Sequence, residues 1–238
     1  MPSARVTLPC RFALLDIEGT VSPLAFVRDV MFPYAGERLE AFVESHWGEP
    51  ALQEVTRQIS ADCPGVKIEN SVGLTAACKN LMARDAKATG LKALQGMIWD
   101  DGFRSGAIRP PLFPDVPDTL RSWKAAGLGL GIYSSGSIGA QVQFFRHAEA
   151  GDLTHLFSRH FDTTTGPKKE ASSYAKISQI LAYQPDEIAF FSDVVAELDA
   201  ARSAGMRTVF LDRPGNAPES PGDHPAINSL ELVQWRSA

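Results

Sequence analysis

Six polar side chains stand in this sequence where they could do chemistry together: Asp16, Glu18, Ser134, Ser135, Lys168 and Asp193. Asp16 ends the apolar run Phe12-Ala13-Leu14-Leu15, Glu18 follows two positions later, and Gly19-Thr20 closes a turn. Ser134-Ser135-Gly136-Ser137 follows a second apolar run. Lys168 lies in Gly166-Pro167-Lys168-Lys169-Glu170, and Ser192-Asp193 follows a third run. A carboxylate can attack phosphorus and form a covalent aspartyl-phosphate. Mg²⁺ favours oxygen ligands and asks for few protein carboxylates, which Asp16 and Asp193 could supply. Such an ion offsets the repulsion between an anionic nucleophile and a phosphate. A lysine, hydroxyls and loop N–H groups can bind the remaining phosphate oxygens. The set is complete for phosphoryl transfer through an acyl-phosphate.

Each piece taken alone has a plainer reading. Asp16-Ile17-Glu18 can be a surface turn after a strand, with the Thr20 hydroxyl holding the loop or the carboxylate. Ser134-Ser135-Gly136 can be only a turn, and Pro167-Lys168-Lys169-Glu170 a solvated face. Ser192 or Asp193 can be a helix N-cap. The order of the four pieces, each after an apolar run or in a loop, favours a common site, because open parallel sheets bind ligands outside the carboxyl ends of their strands.

The elements that must position these groups follow from periodicity. Phe12–Leu15, 128–133, 188–191 and 207–211 are short apolar runs bounded by turn residues and read as buried strands. Helical segments fall between them at 118–126, stopped by Gly127, and at 138–148, 172–181 and 194–204. Strands alternating with helices imply a parallel sheet with right-handed crossovers. The glycines at 127, 129 and 131 hint at a dinucleotide fingerprint, but Ile132 stands where the third glycine belongs.

From Pro23 to Arg109 no strand pattern appears. Val27, Val30, Met31 and Tyr34 recur at helical intervals, as do Leu39, Phe42, Val43 and Trp47, with Pro33 bending or interrupting the first segment. Residues 76–94 carry no proline and read as one helix. Gly65 and the stretch 70–73 punctuate between helices, and 105–114 is the return hinge. The expectation is an α/β fold: a Rossmann-like parallel-sheet core over 1–22 and 110–238, with a helical cap inserted over 23–109. Phe26 and Trp99 read first as packing residues of that insert. The tail over 213–225 reads as loop.

Composition narrows the function classes. Of 238 residues, 44% are apolar and 21% charged, as in an ordinary globular protein, and the net charge is −5. With that acidic balance and no basic run interleaved with aromatics, nucleic acid is not an expected partner. Three scattered cysteines make neither a disulfide framework nor a zinc site, so a reducing, cytoplasmic setting is expected. No apolar run has the length of a signal peptide or a membrane span. The histidines at 46, 147, 155, 160 and 224 read as structural or surface residues.

Asp16-Ile17-Glu18-Gly19-Thr20 resembles the first motif of the haloacid dehalogenase superfamily, Asp-x-Asp-x-Thr, with Glu in place of the second Asp. Ser134, Lys168 and Asp193 fall where its second, third and fourth motifs belong. Asp-Ile-Glu-Gly-Thr-Val-Ser-Pro from Asp16, Leu91-Lys92-Ala93-Leu94-Gln95-Gly96, Ile132-Tyr133-Ser134-Ser135-Gly136-Ser137, Gly151-Asp152-Leu153, Phe161-Asp162-Thr163 and Glu197-Leu198-Asp199-Ala200-Ala201 resemble one family within it. That family is acireductone synthase, the bifunctional enolase-phosphatases of methionine salvage. The resemblance runs from Phe12 to Gly215. It implies a Rossmann-like core with a helical cap, one Mg²⁺, and 2,3-diketo-5-methylthiopentyl-1-phosphate as a small phosphorylated diketone substrate that is enolised and then dephosphorylated. Asp16 then resembles the nucleophile and a metal ligand. Glu18 resembles the motif's second acid, a catalytic residue and metal ligand. Asp193 resembles the remaining metal ligand, and Ser134, Ser135 and Lys168 the phosphate contacts. Lys168 is preferred to Lys169 by the family's Gly-x-Lys-x-Glu pattern. One departure is Ala140-Gln141-Val142-Gln143, where Ala-Gln-Lys is expected. The alternative activity is a simple phosphomonoesterase of the superfamily without an enolase step. A monomer is expected.

Overall fold

The structure is a computed structural model that describes residues 5–63, 65–86, 88–217 and 219–236. Residues 1–4 and 237–238, at the ends of the expected core segments, lie outside the described residues. So do Lys87, inside the helix expected over 76–94, and Pro218, in the expected tail loop. In chain order the elements begin with β1 (Val6–Leu8), β2 (Phe12–Leu15), α1 (Leu24–Phe26), a π-helical turn (Val27–Met31), α2 (Phe32–Ser45), α3 (Pro50–Asp62), α4 (Ser71–Ala83) and α5 (Thr89–Ser105). They continue with α6 (Val116–Ala125), β3 (Gly129–Tyr133), α7 (Ile138–Arg146), β4 (Arg159–Phe161), α8 (Ala171–Leu181), β5 (Ile188–Ser192), α9 (Val195–Ser203), β6 (Arg207–Leu211), β7 (Ala226–Ile227) and β8 (Val233–Trp235).

The chain forms two compact units, residues 1–26 with 109–238, and residues 27–108. The first is built on a six-stranded sheet of order β4-β3-β2-β5-β6-β7 whose neighbours all run parallel. β2 is central because all four of its residues are buried, as a strand covered on both faces requires. Leu15 lies level with Ile132 of β3 and Phe191 of β5. The next residues of all three strands therefore emerge together at one edge, and the register brings Asp16, Ser134 and Asp193 to one end of the sheet. Leu14, Tyr133, Phe190, Tyr174, Ile177 and Leu198 share one apolar cluster with Phe12. Gly129 and Gly131 belong to that packing and not to a cofactor site. A Cβ on either would fall 2.3 or 2.9 Å from the Phe12 ring.

Leu24–Phe26 lies with the sheet unit, where the Phe26 ring meets Phe144 edge-on at 6.1 Å. The unit boundary thus falls after Phe26 and not after residue 22. β4 and β7 were not expected as strands. They have three and two residues, and β4 reads Arg-His-Phe, too short and too polar for a period to register. The same holds for the separate parallel pair β1–β8.

In the second unit, α2–α5 enclose Leu39, Val43, Leu52, Ile59, Leu74 and Leu94. Pro33 interrupts the first segment as expected: the π-helical turn Val27–Met31, still helical at Met31, gives way to α2 directly before it. Asn70 caps α4 by accepting the Gly73 N–H at 2.9 Å. The single helix expected over 76–94 is two. α4 stops at Ala83, Asp85 takes a left-handed conformation, and α5 returns along α3, its Gly90 N–H donating to Asp62 at 3.3 Å. Tertiary packing overrides helix propensity here.

Candidate active site

The loop after β2 is tightly self-bonded. The Val21 and Ser22 N–H groups both donate to the Ile17 carbonyl at 2.9 Å, and the Gly19 N–H donates to the Ser22 carbonyl at 2.8 Å. Gly19 has φ +72°, a conformation that disfavours a side chain. The Asp16 N–H continues the sheet by donating to the Phe191 carbonyl at 3.0 Å. Asp16 is thereby held rigidly at the strand tip and is 5% exposed.

Lys168 reaches the same point from the loop between β4 and α8. Its Nζ donates to Asp16 Oδ1 at 2.8 Å and to Glu197 Oε2 at 2.7 Å. Tyr174 fixes the loop from below, its hydroxyl donating to the Lys168 carbonyl at 2.7 Å. Burial pushes the Lys168 pKa down, but the Asp16 and Glu197 carboxylates outweigh it and hold the ammonium above its ordinary range. Glu197 also accepts the Ser192 hydroxyl at 3.1 Å, and burial, then the Asp16 charge, raises its pKa. Glu197 has no place among the six residues taken from the sequence. Its four-residue spacing from Asp193, one turn into α9, was the available signal.

Glu18 is partly exposed, and burial followed by the Asp16 charge raises its carboxyl pKa. The same two causes push Asp193 up to about 7. Asp193 Oδ1 is buried and has no hydrogen-bond partner. Asp193 caps nothing through its side chain. It is Ser192 whose hydroxyl accepts the Val194 N–H at 3.1 Å. Two acids raised by burial and by the charge of Asp16, with one buried oxygen unpaired, make a donor set that suits a hard cation. Among the described residues no cluster of three or more His, Cys, Asp or Glu side chains forms a metal cage. Mg²⁺ does not need one, because it binds through one or two carboxylates with other oxygens.

On the β3 side, the Ser134 N–H donates to the Phe161 carbonyl at 3.2 Å and its hydroxyl accepts the Gly136 N–H at 3.3 Å. Ser134 is buried and Ser135 exposed. Gln141 underlies this loop, its Nε2 donating to the Gly136 carbonyl at 2.8 Å and the Phe161 carbonyl at 2.9 Å. The Thr20 hydroxyl does not hold the loop as expected: it is buried without a partner. The loop is gripped through the Thr20 carbonyl, which accepts Arg213 Nε at 2.9 Å. Arg213 in turn pairs with Asp115 at 2.8 Å and lies 4.6 Å from the centre of the Phe113 ring. The structure thus joins Asp16, Lys168 and Glu197 by direct contact and sets Glu18, Asp193 and Ser134 on loops at the same sheet edge.

The sequence model of the haloacid dehalogenase-like hydrolases matches residues 13–205. The chain is 46% identical over 227 residues to an enolase-phosphatase E1 of Sorangium cellulosum, covering 95% of this chain and 98% of that one. It is 47% identical over 219 residues to an enolase-phosphatase E1 of Pseudomonas aeruginosa, covering 91% and 95%. Among solved structures it resembles the UTR4 protein of Saccharomyces cerevisiae, with TM-score 0.81, 34% identity, and 93% and 99% coverage. A phosphate complex of CbbY from Rhodobacter sphaeroides, at TM-score 0.59 and 14% identity over 94% and 98% of the two chains, shares the fold.

Proposed function

The chain belongs to the enolase-phosphatase E1 family of haloacid dehalogenase-like hydrolases, and on that premise we propose that it is a Mg²⁺-dependent acireductone synthase of methionine salvage. It enolises 2,3-diketo-5-methylthiopentyl-1-phosphate and then removes the phosphate to leave 1,2-dihydroxy-3-keto-5-methylthiopentene. The observation that carries the chemistry is the buried chain Asp16–Lys168–Glu197 beside the unpaired oxygen of Asp193. The plain phosphomonoesterase alternative is not favoured, since the similarity to enolase-phosphatases extends over almost the whole chain.

In this reading Asp16, Asp193 and the Glu18 main chain would hold the magnesium ion. When bound, the ion neutralises phosphate charge and polarises the dione. Glu18 is the base that takes the proton from the carbon next to the dione, a task suited to a carboxyl whose pKa is raised. Glu18 passes that proton to the adjacent carbonyl oxygen, which gives the enol. Asp16 then attacks phosphorus, the bond from phosphorus to the ester oxygen breaks, and that oxygen takes a second proton, drawn from solvent through Glu18 and made good by the hydrolytic water. Water hydrolyses the aspartyl-phosphate, releases inorganic phosphate and restores Asp16. Lys168 orients the Asp16 carboxylate, and with Ser134 and Ser135 binds the phosphate oxygens. We place the enzyme in the cytoplasm as a monomer acting on a small molecule, not on nucleic acid or membrane.

The test is an anaerobic assay with the diketo phosphate and Mg²⁺ that follows enol absorbance and phosphate together. Enol absorbance growing with or ahead of phosphate is the expected result. Phosphate release without an enol product would leave a simple phosphatase.

A further inference from the structure

The turn after β6, residues 213–216, carries a contact that the reaction as described does not use. Asn216 Nδ2 donates to the Gly19 carbonyl at 2.9 Å and to Asp193 Oδ2 at 3.0 Å. The Gly19 carbonyl can only accept, so the amide nitrogen and not its oxygen must face it. The Asn216 backbone N–H donates to the Arg213 carbonyl at 3.2 Å, and Arg213 Nε holds the Thr20 carbonyl at 2.9 Å. One short turn therefore grips two successive carbonyls of the loop that follows Asp16. The fit is close. A Cβ on Gly19 would lie 2.1 Å from Asp193 Oδ2 and 3.0 Å from Asn216 Nδ2. Three segments far apart in the chain meet at one carboxylate oxygen, while the other, Asp193 Oδ1, is buried and unpaired.

We propose that Asn216 is a positioning residue for the cation site: by holding Asp193 Oδ2 against Gly19, it leaves Oδ1 as the oxygen that binds the metal. This rests on the assignment of Asp193 as a ligand. A carboxylate with one oxygen already tied down has less freedom to lose when the cation binds. Partners that orient a ligand in this way commonly contribute ten- to a hundredfold in metal affinity. Ser, Thr or Ala at 216 could not span from Asp193 to the Gly19 carbonyl with a donor pair, because only a primary amide offers two N–H groups from one nitrogen at this length.

Calorimetric titration of Mg²⁺ into metal-free protein tests the proposal, with Asn216→Ala and the near-isosteric Asn216→Leu beside the unmodified chain. Thermal unfolding of the metal-free forms is measured in parallel. The expected result is a dissociation constant raised about tenfold or more in both variants, with little change in the metal-free unfolding midpoint. Variants that bind Mg²⁺ as tightly as the parent overturn the proposal. Weaker binding matched by an equal loss of metal-free stability would make Asn216 a structural residue and overturn it too. No Mg²⁺ binding by the unmodified protein would sink the cation-site assignment itself. Should neither variant fold, the Asn216 side-chain amide is followed by NMR in the unmodified protein. Protected amide protons that shift on Mg²⁺ addition are expected, and freely exchanging protons unmoved by Mg²⁺ would refute the role.

Discussion

Lys168 is a buried cation between two buried acids, and its value to the protein lies in orientation more than in stability. Removing three such charges from water costs nearly what their attraction returns. What the arrangement secures is one fixed position for Asp16. The roles of Asp16 and Glu18 separate under substitution. Asp16→Asn should cut phosphate release on the order of 10⁶-fold, as loss of a covalent nucleophile does, while enol still accumulates. Glu18→Gln should slow enolisation about 10²- to 10⁴-fold, the usual worth of a general base. Both are read from the ultraviolet trace and a phosphate assay in the same reaction. Rapid phosphate turnover by the Asp16 variant would remove Asp16 from its role, and enol formation at the parent rate in the Glu18 variant would move the base elsewhere.

At the level of elements, the loops depend on a cross-brace and the helices on a dry interior. Arg213 joins the loop after β2 to Asp115 at the start of α6 and to the Asn228 carbonyl. Arg213→Met strands the Asp115 carboxylate and should cost about 3–5 kcal/mol in urea unfolding. Arg213→Met with Asp115→Leu should be less destabilised than Arg213→Met alone, since no buried charge is then left unpartnered. Equal or greater loss in the double variant would mean that the pair is not what matters. Inside the helical unit, burial, with Cys63 nearby, pushes the Cys78 thiol up to about 12 from an ordinary 9.0. The folded chain keeps that proton while the unfolded chain loses it. The stabilisation is therefore complete below pH 9 and is lost as pH rises towards 12, at up to roughly 1.4 kcal/mol per unit. Unfolding free energies measured from pH 8 to 11 should fall more steeply in the parent than in Cys78→Ala, and parallel slopes would contradict the shift.

For the molecule as a whole, the proposed methylthio diketone substrate predicts discrimination at a distance from phosphorus. A substrate analogue without the methylthio group should lose about 10- to 200-fold in kcat/KM, the usual worth of a small apolar group in a fitted pocket. An analogue turned over as fast as the parent substrate would count against a pocket fitted to the thioether end. The strands β2, β3, β5 and β6, the helical insert, the positions of Asp16, Ser134 and Asp193 after strands and that of Lys168 in a loop were all legible in the sequence, because continuous apolar runs and turn residues are local signals. The short strands β4 and β7 were not, since two or three residues at a sheet edge carry no period. The break of residues 76–94 into α4 and α5 was hidden because helix propensity is local, whereas the return along α3 serves a core assembled from distant residues. Glu197 on Lys168, Arg213 on the Thr20 carbonyl and Asn216 on Asp193 belong to the same class. By itself the sequence determined which groups could do phosphoryl chemistry and which strands would carry them. Only the tertiary structure decided which partners hold those groups still, because a hydrogen bond between residues 19 and 216 depends on where the chain returns in space and leaves no trace in the spacing of either.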